Sequence, residues 1–573
     1  MDNTGFGLLS LVIFMPLMGG LFLMLVPKDF VKVHRYLALA VTILTFVASL
    51  QIYRAFSGNT YHFQLVESIP WITSLGITYK VGVDGISLWL VLLTTFIAVI
   101  SVWFSFYVGE RAKEFMVFCL ILETALIGVF CALDLILFFI FFEATLFPMY
   151  LMIAIWGGKN RAYASVKFFL FTFLGSIFML VAIVALYFIT QEKLGEGTFD
   201  LIAMQELAAA GDLAAGTVQL WLFAAFAVAF AVKVPFFPLH TWLPDAHTEA
   251  PTAGSIFLAA IMLKMGIYGF LRFCLPLFPE ASIQAAPLMM GLAVVGIIYG
   301  AVMAAMQPDW KRLIAYSSVS HLGFVMLGVF ALNHNGLMGS VLQSVNHGIS
   351  TGALFLMVGM IYERRHSRLF KDFGGLKRQM PMFSGLFLLI MLSSVALPSM
   401  NGFIGEFLCL IGGFEAGFNG TAGIPIWMPV VAGSGIVFAA VYLLWMFQKA
   451  FYGPVDKAEI RRLRDIKVWE QGLCWGLVLF VFWIGLYPTF YTSKMEASVN
   501  ALRHQTIQPP DARPAWADMS VDVNGRGDVV EVTGRDPVDL GVWTQVRVLV
   551  PSEHHKQRED TEAVVARRSG EQP

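Results

Sequence analysis

AVKVPFFPLHTWLPDAHTEAPTAGSIFLAAIMLKMGIYGFL, residues 231–271, decides the architecture. It holds the end of one long apolar run, the prolines Pro235 and Pro238 that interrupt it, and a second apolar run from about Thr252 with Lys264 near its middle. A run of about 20 apolar residues crosses the roughly 30 Å of bilayer hydrocarbon as a helix. A proline inside such a helix removes a ladder donor and frees a carbonyl, which is tolerated only beside protein, water or a cavity. Lys233 stands two residues before the first of these prolines. An ionisable group at mid-membrane costs from about 2.5 to over 10 kcal/mol, so it marks a pair, a cavity or a pathway.

The rest of the chain matches that reading. Of 573 residues, 58% are apolar and only 77 carry a formal charge, against roughly 45–50% apolar and 25% charged in a soluble domain. About 23 of those charges lie from Lys494 onward, so the core is poorer still. A soluble multidomain enzyme is excluded, and so is an outer-membrane barrel, because the apolar runs are unbroken rather than alternating. A net charge of −1 and no basic cluster with interleaved aromatics give no sign of nucleic-acid binding. Cys119, Cys131, Cys274, Cys409 and Cys474 are isolated in apolar runs and read as small apolar residues. The opening MDNTGFGLLSLVIFMPLMGG lacks a basic n-region and a cleavage site and reads as the first span.

Punctuation by charge, Pro and Gly predicts an all-α polytopic membrane protein of about fourteen transmembrane helices, near 8–26, 35–55, 86–107, 114–131, 134–156, 164–190, 217–240, 252–274, 285–305, 310–330, 337–361, 382–413, 428–450 and 469–490. The odd-numbered connections carry 21 Lys and Arg and the even-numbered ones four. The positive-inside rule then puts odd loops in the cytoplasm and both termini on the far side. The tail from 494 is expected to be polar and partly disordered, with DVNGRGDVVEVTGRD as a turn between short strands.

Four charges sit deep: Glu143 in LILFFIFFEATLFPMYL, Lys233, Lys264, and Glu406 shortly after Pro398 in SVALPSMNGFIGEFLCLIGG. Snorkelling or ion pairs that fix packing are the plain alternative, but four mid-span charges, two of each sign, favour a pathway. Glu123 is open between a packing hydrogen bond and a proton site. Two interrupted spans, five apart and each with a central charge, are the mark of an inverted-repeat transporter. Residues 1–110 then form a three-helix segment, 111–275 and 283–452 two inverted five-helix repeats, 453–493 a loop and last helix, and 494–573 the tail.

His321 shares a helix face with Ser317 and Ser318. Ser340, Gln343, Ser344, His347, Ser350 and Thr351 form one polar stripe on an apolar span. Such a stripe is interhelical hydrogen-bond glue or the wall of a water file, and a central histidine, which accepts on one nitrogen and donates from the other, favours the second. His240 joins the candidate water-path residues. A haem would need facing histidine pairs, which nothing here fixes. No nucleotide, redox or bond-breaking motif occurs, which leaves proton or cation handling. At an effective dielectric of about 20, moving a carboxylate from about 4 to 10 Å from a lysine weakens the attraction from roughly 4 to 1.7 kcal/mol. Moving one proton against about 150–200 mV needs roughly 3.5–4.6 kcal/mol, the same order.

FFEATLFPMYLMIAIWGG, VKVPFFPLHTWLPDAHTEAPTAGSIFLAAIMLKMGIYG, DWKRLIAYSSVSHLGF and LPSMNGFIGEF resemble the antiporter-like subunits of respiratory complex I, the NADH:quinone oxidoreductase of the bacterial inner membrane, over about residues 80–490. Within that family the M type, counterpart of mitochondrial chain 4, is indicated by Glu406, where the L-like and N-like sister subunits and Mrp-type antiporters usually have Lys. The resemblance implies proton translocation, with Glu143 and Lys233 as the coupling pair, Lys264 as central relay, His321 and His347 as bridges and Glu406 as the terminal site. It also implies NADH, FMN, iron–sulfur clusters and quinone in partner subunits and no cofactor in this chain, with the L-like and N-like subunits and lipid as neighbours. An Mrp-type cation/proton antiporter subunit is the alternative function, and a scaffold bundle the third.

Overall fold

The computed structural model describes residues 5–507; the expected strands and disorder of the tail lie outside them. Among the described residues, thirteen helices are long and apolar enough to cross a membrane. The remaining expected segment, 382–413, is split into Pro381–Ser394 and Asn401–Asn419. The other expected break is also present: one helix ends at Lys233 and the next runs Trp242–Glu249. The carbonyls freed there are recaptured inside the protein, with Trp242 Nε1 donating to Val232 O at 3.0 Å and Phe236 N to Ala231 O at 2.8 Å. A smaller irregularity follows Glu143, where Leu135–Ala144 gives way to Leu146–Trp156 at Thr145. Its cause is Pro148, which cannot donate to Ala144 O.

Burial grades the spans, five of them burying 50–83% of their apolar windows and the others lying at the two extremes. Thr252–Leu277, Trp310–Phe330 and His334–Arg365 are wholly enclosed by protein, whereas Leu8–Leu25, Val31–Ala55, Arg161–Leu194, Trp427–Phe451 and Val468–Leu486 bury 33–39% of their apolar windows. The outer helices face lipid with apolar side chains, and the enclosed three carry Lys264, His321 and His347. A polar group in a spanning helix must turn toward protein or water, so the sequence itself selects which helices go inside. Thr252–Leu277 is also irregular, with π-helical turns at Leu258–Met262 and Phe270–Cys274 of the kind that interrupts α-helices near functional sites.

Residues 64–83 form an antiparallel hairpin, Gln64–Ile72 with Ile77–Val83, turned at Gly76 in the left-handed region (φ 67°). Its buried Glu67 caps the first helix from outside: Leu9 N and Ser10 N donate to the carboxylate at 2.7 and 3.1 Å, and Ser10 Oγ at 2.5 Å. A carboxylate suits the positive end of a helix whose own N-cap, Gly7, has no side chain to offer. Asp134, between two spans, accepts from Ile136 N and Leu137 N and also from Thr78 N of the hairpin; burial pushes its carboxyl up to about 6.

The chain does not leave the bundle at 494. Thr489–Ile507 is a helix with Met495, Val499 and Leu502 buried, and Ser498 Oγ accepts from Gly85 N at 2.9 Å. The expected boundary of the bundle at 494 therefore does not hold, and Thr489–Ile507 belongs to the bundle. A stop codon after Lys494 should lower the amount of assembled protein in membranes severalfold, because it strips these contacts, while a stop after Ile507 should leave it near normal. Immunoblots of membrane fractions check this.

Candidate functional site

Four of the expected site residues fall on one continuous line. Lys264 is fully buried, and its Nζ donates to Ala259 O at 2.6 Å and lies 2.7 Å from His347 Nδ1. Ala259 belongs to the first π-helical turn, so the helix irregularity and the lysine are one feature. The His347 ring centroid is 6.1 Å from that of His321. His321 Nδ1 lies 2.7 Å from Glu406 Oε1, and its Nε2 is 3.2 Å from Tyr442 Oη. Gln343 Nε2 donates to the same Glu406 oxygen at 3.0 Å. When Lys264 is an ammonium, which only donates, His347 accepts at Nδ1 and its proton is on Nε2, which has no partner. A cavity of about 10 Å³ lies beside His347, His321 and Glu406, room for roughly one water molecule.

The second helix break is held to this line by a hydrogen-bond cluster. Asn401 Oδ1 accepts from Ser393 Oγ at 2.6 Å and Ser350 Oγ at 3.3 Å, its Nδ2 donates to Asn346 O at 3.2 Å, and Asn346 Nδ2 donates to Asn401 O at 2.7 Å. Within the break, Ala396 and Ser399 adopt left-handed backbone (φ 62° and 77°), a conformation that costs an L-residue about 1–2 kcal/mol. Close approach to His334–Arg365 needs small residues: a Cβ on Gly405 would come within 2.8 Å of Gln343 Cα, and one on Gly412 within 2.4 Å of Gly336 N. Asn346, Ser393 and Asn401 are functional-site residues that sequence reasoning missed. Their signal was the Asn401 that follows Pro398 and starts the second half-helix.

Glu143 and Lys233 come within electrostatic reach of each other but form no ion pair. Lys233 Nζ lies 4.7 Å from the Phe142 ring centroid, makes no hydrogen bond, and holds the neighbourhood by cation–π attraction. Glu143 Oε1 is likewise unpartnered. Glu123 is fully buried and both its oxygens lack partners, so the packing hydrogen bond considered for it is absent. His240 stacks on Phe237 with ring centroids 5.7 Å apart and meets Tyr299 edge-on at 5.1 Å.

The hydroxyls divide. Ser317 and Ser318 both donate to Ile314 O, Ser344 donates to Ser340 O, and Ser340 to Gly336 O. Ser317, Ser318 and Ser344 thereby tie their protons to their own helices, whereas Ser340 Oγ also reaches Val325 O of the neighbouring helix Trp310–Phe330 at 3.0 Å. Gln343, Ser350 and Thr351 instead line the small cavity.

A larger cleft of about 340 Å³ opens at the other end of Thr252–Leu277, beside Glu249, Lys311, Glu363 and Arg368. Lys311 is buried, and its Nζ donates to Ala250 O at 2.7 Å and Ser255 Oγ at 3.3 Å. His247, stacked 4.5 Å from Phe355 with both ring nitrogens unpartnered, lies within electrostatic reach of both Lys311 and Lys264. Sequence reasoning counted Lys311 as a loop charge and passed over His247 inside WLPDAHTEAP. Among the described residues no three His, Cys, Asp or Glu side chains converge as a metal site.

Residues 132–428 match the family model described as NADH:quinone oxidoreductase/Mrp antiporter, transmembrane. The chain is 42% identical to NADH-quinone oxidoreductase subunit M of Rhodobacter capsulatus, over 86% of this chain and 95% of that one. It is 40% identical to NADH-ubiquinone oxidoreductase chain 4 of Marchantia polymorpha, over 86% and 96%. A chain of respiratory complex I from Thermus thermophilus with bound NADH superposes with a TM-score of 0.78 at 30% identity, covering 88% of this chain and all of that one. A chain of the Mrp complex from Dietzia sp. DQ12-45-1b shares the fold, with a TM-score of 0.71 at 21% identity over 87% and 52%.

The Asn401 cluster gives a direct test. Asn401→Leu removes the bonds its side chain makes to Ser350, Ser393 and the Asn346 carbonyl and leaves the two hydroxyls only each other, 2.6 Å apart, at about 0.5–1.5 kcal/mol for each hydrogen bond lost. The solubilised protein should melt several degrees lower, while Ser434→Ala, on the exposed face of Trp427–Phe451, should leave the midpoint unchanged. Differential scanning fluorimetry of the two variants measures this, and equal midpoints would remove the cluster from the account.

Proposed function

The chain belongs to the NADH:quinone oxidoreductase/Mrp antiporter transmembrane family, and from that premise we propose that it is a proton-translocating membrane subunit of a respiratory NADH:quinone oxidoreductase, of the M or chain 4 type. The single observation that carries the reading is the buried line Lys264–His347–His321–Glu406. Every member of it can both take up and release a proton, and all are enclosed by protein. The 42% identity to an NADH-quinone oxidoreductase subunit over most of both chains favours this over an Mrp-type antiporter, to which the likeness is one of fold.

In this reading Lys264 releases a proton to His347 Nδ1, and the resulting imidazolium presents Nε2–H to the cavity it shares with His321. One water in that cavity bridges the two rings, and His321 delivers to the carboxylate of Glu406. Lys264 is reloaded from the cleft beside Lys311, with His247 between them. Glu143 and Lys233 act as the coupling pair: they stand within reach of each other without contact, so a small approach changes how firmly Lys233 holds its proton. Glu143 and Lys233 lie off the line, and their effect on it is electrostatic.

The charge bias of the loops supports a cytoplasmic cleft face and periplasmic termini, in a bacterial inner membrane. Neighbouring subunits of the L-like and N-like type flank the chain. NADH, FMN, iron–sulfur clusters and quinone reside in partner subunits, whose redox energy reaches this chain through changes at Glu143 and Lys233.

Glu406 decides between a proton site and a hydrogen-bond anchor. As the last protonatable stop, it needs a group that binds and releases a proton, whatever its sign. Glu406→Gln should then suppress NADH-driven proton pumping severely, and Glu406→Lys should retain a clear fraction of it, because a desolvated lysine also titrates. An anchor predicts the reverse order, with Gln tolerated and Lys disruptive. Pumping assays on inverted membrane vesicles with assembly confirmed distinguish the two.

A further inference from the structure

The helix Thr252–Leu277 carries three polar side chains at four-residue spacing, Lys264, Tyr268 and Arg272. They therefore lie on one face and step from mid-membrane toward the hairpin side, about 12 Å from first to last at 1.5 Å per residue. Arg272 is unusual for an arginine inside a bundle. Its side chain is 8% exposed, its Nη2 lies 2.6 Å from Asp84 Oδ1, and its guanidinium packs 4.7 Å from the Phe63 ring. Arg272 Nε donates to Tyr268 Oη at 3.2 Å, and Tyr268 Oη donates to Phe130 O at 3.2 Å. Asp84 is itself fixed, since its Oδ1 also accepts from Ile86 N and Ser87 N at the start of Ser87–Phe104.

We infer that the Arg272–Asp84 pair is an electrostatic seal that closes the hairpin face of the bundle against protons from Lys264. The inference rests on the reading above that Lys264 carries protons. A proton wire needs members that accept on one side and donate on the other. A guanidinium has five donors, no acceptor, and stays protonated, so the line of polar groups that starts at Lys264 ends at Arg272. Tyr268 cannot bypass it, because its hydroxyl proton is committed to Phe130 O and its oxygen receives Arg272 Nε. The fixed positive charge also repels a hydrated proton approaching from either side, as arginines do in proton-excluding pores. The same helix reaches the open cleft at its other end, where Thr252 is part of the wall. The helix of Lys264 thus meets an open cleft at one end and the Arg272–Asp84 pair at the other, and Lys264 itself contacts His347.

The test is passive proton conductance of the whole assembled complex in proteoliposomes, without NADH, under a potassium diffusion potential and read with an internal pH dye. Arg272→Gln should raise conductance severalfold, and adding Lys264→Ala should return it to the wild-type level. If Arg272→Gln does not assemble, Arg272→Lys replaces it: an ammonium keeps the charge but can release its proton, so these vesicles should also leak. Tight vesicles with the assembled Arg272 variant, or a leak that persists in the double variant, would overturn the seal. Failure of the proton-carrying reading shows separately, as unimpaired NADH-driven pumping in Lys264→Ala alone.

Discussion

The ammonium of Lys264, shared between the Ala259 carbonyl and His347 Nδ1, is the interaction on which the rest of the structure depends. A fully buried cation needs partners supplied by the protein, and each partner dictates a feature of the fold. The carbonyl comes from a π-helical turn in the lysine's own helix. The imidazole comes from His334–Arg365, which must then lie in the interior, and His321 and Glu406 follow in contact order. Enclosing three spans leaves the apolar helices to face lipid. The two helix breaks lie beside the same interior, where freed carbonyls and strained residues find hydrogen bonds that lipid could not give.

Much of this was legible in the sequence because membrane burial makes charge expensive and proline conspicuous. Lys264, His347, His321 and Glu406 stood out as polar residues in apolar runs, and the structure brings them into one line. Pro235, Pro238 and Pro398 marked the breaks to within a few residues. What was not legible depends on partners remote in sequence. Nothing local indicates that Ser317, Ser318 and Ser344 turn their protons back onto their own helices, since a serine at helical spacing suits a water file equally well. The hairpin was invisible because its stabilising contacts, Glu67 on the first helix and Thr78 on Asp134, are long-range. The helix Thr489–Ile507 was missed because charges at Lys494 and Glu496 resemble the start of a solvated tail, and only its packing shows otherwise.

Glu143 and Lys233 show how spacing and contact differ. Sequence places both at mid-span, and the structure sets them within electrostatic reach without an ion pair, with Phe142 against the ammonium. A closed buried pair is difficult to open, because separating its charges leaves each of them uncompensated. An open pair held by a softer cation–π contact responds to small displacements. Together with the Arg272–Asp84 contact, this gives the chain one charge pair in contact and one that is not.

The central claim is that protons pass along Lys264, His347, His321 and Glu406 during NADH oxidation. It is tested most directly by the proton-to-electron ratio of membranes carrying His347→Leu, measured with electron transfer rate and complex assembly in the same preparation. The expected result is an assembled complex that oxidises NADH but moves fewer protons per electron, because no group remains to take the proton from Lys264. A normal ratio in the assembled His347→Leu complex would contradict it.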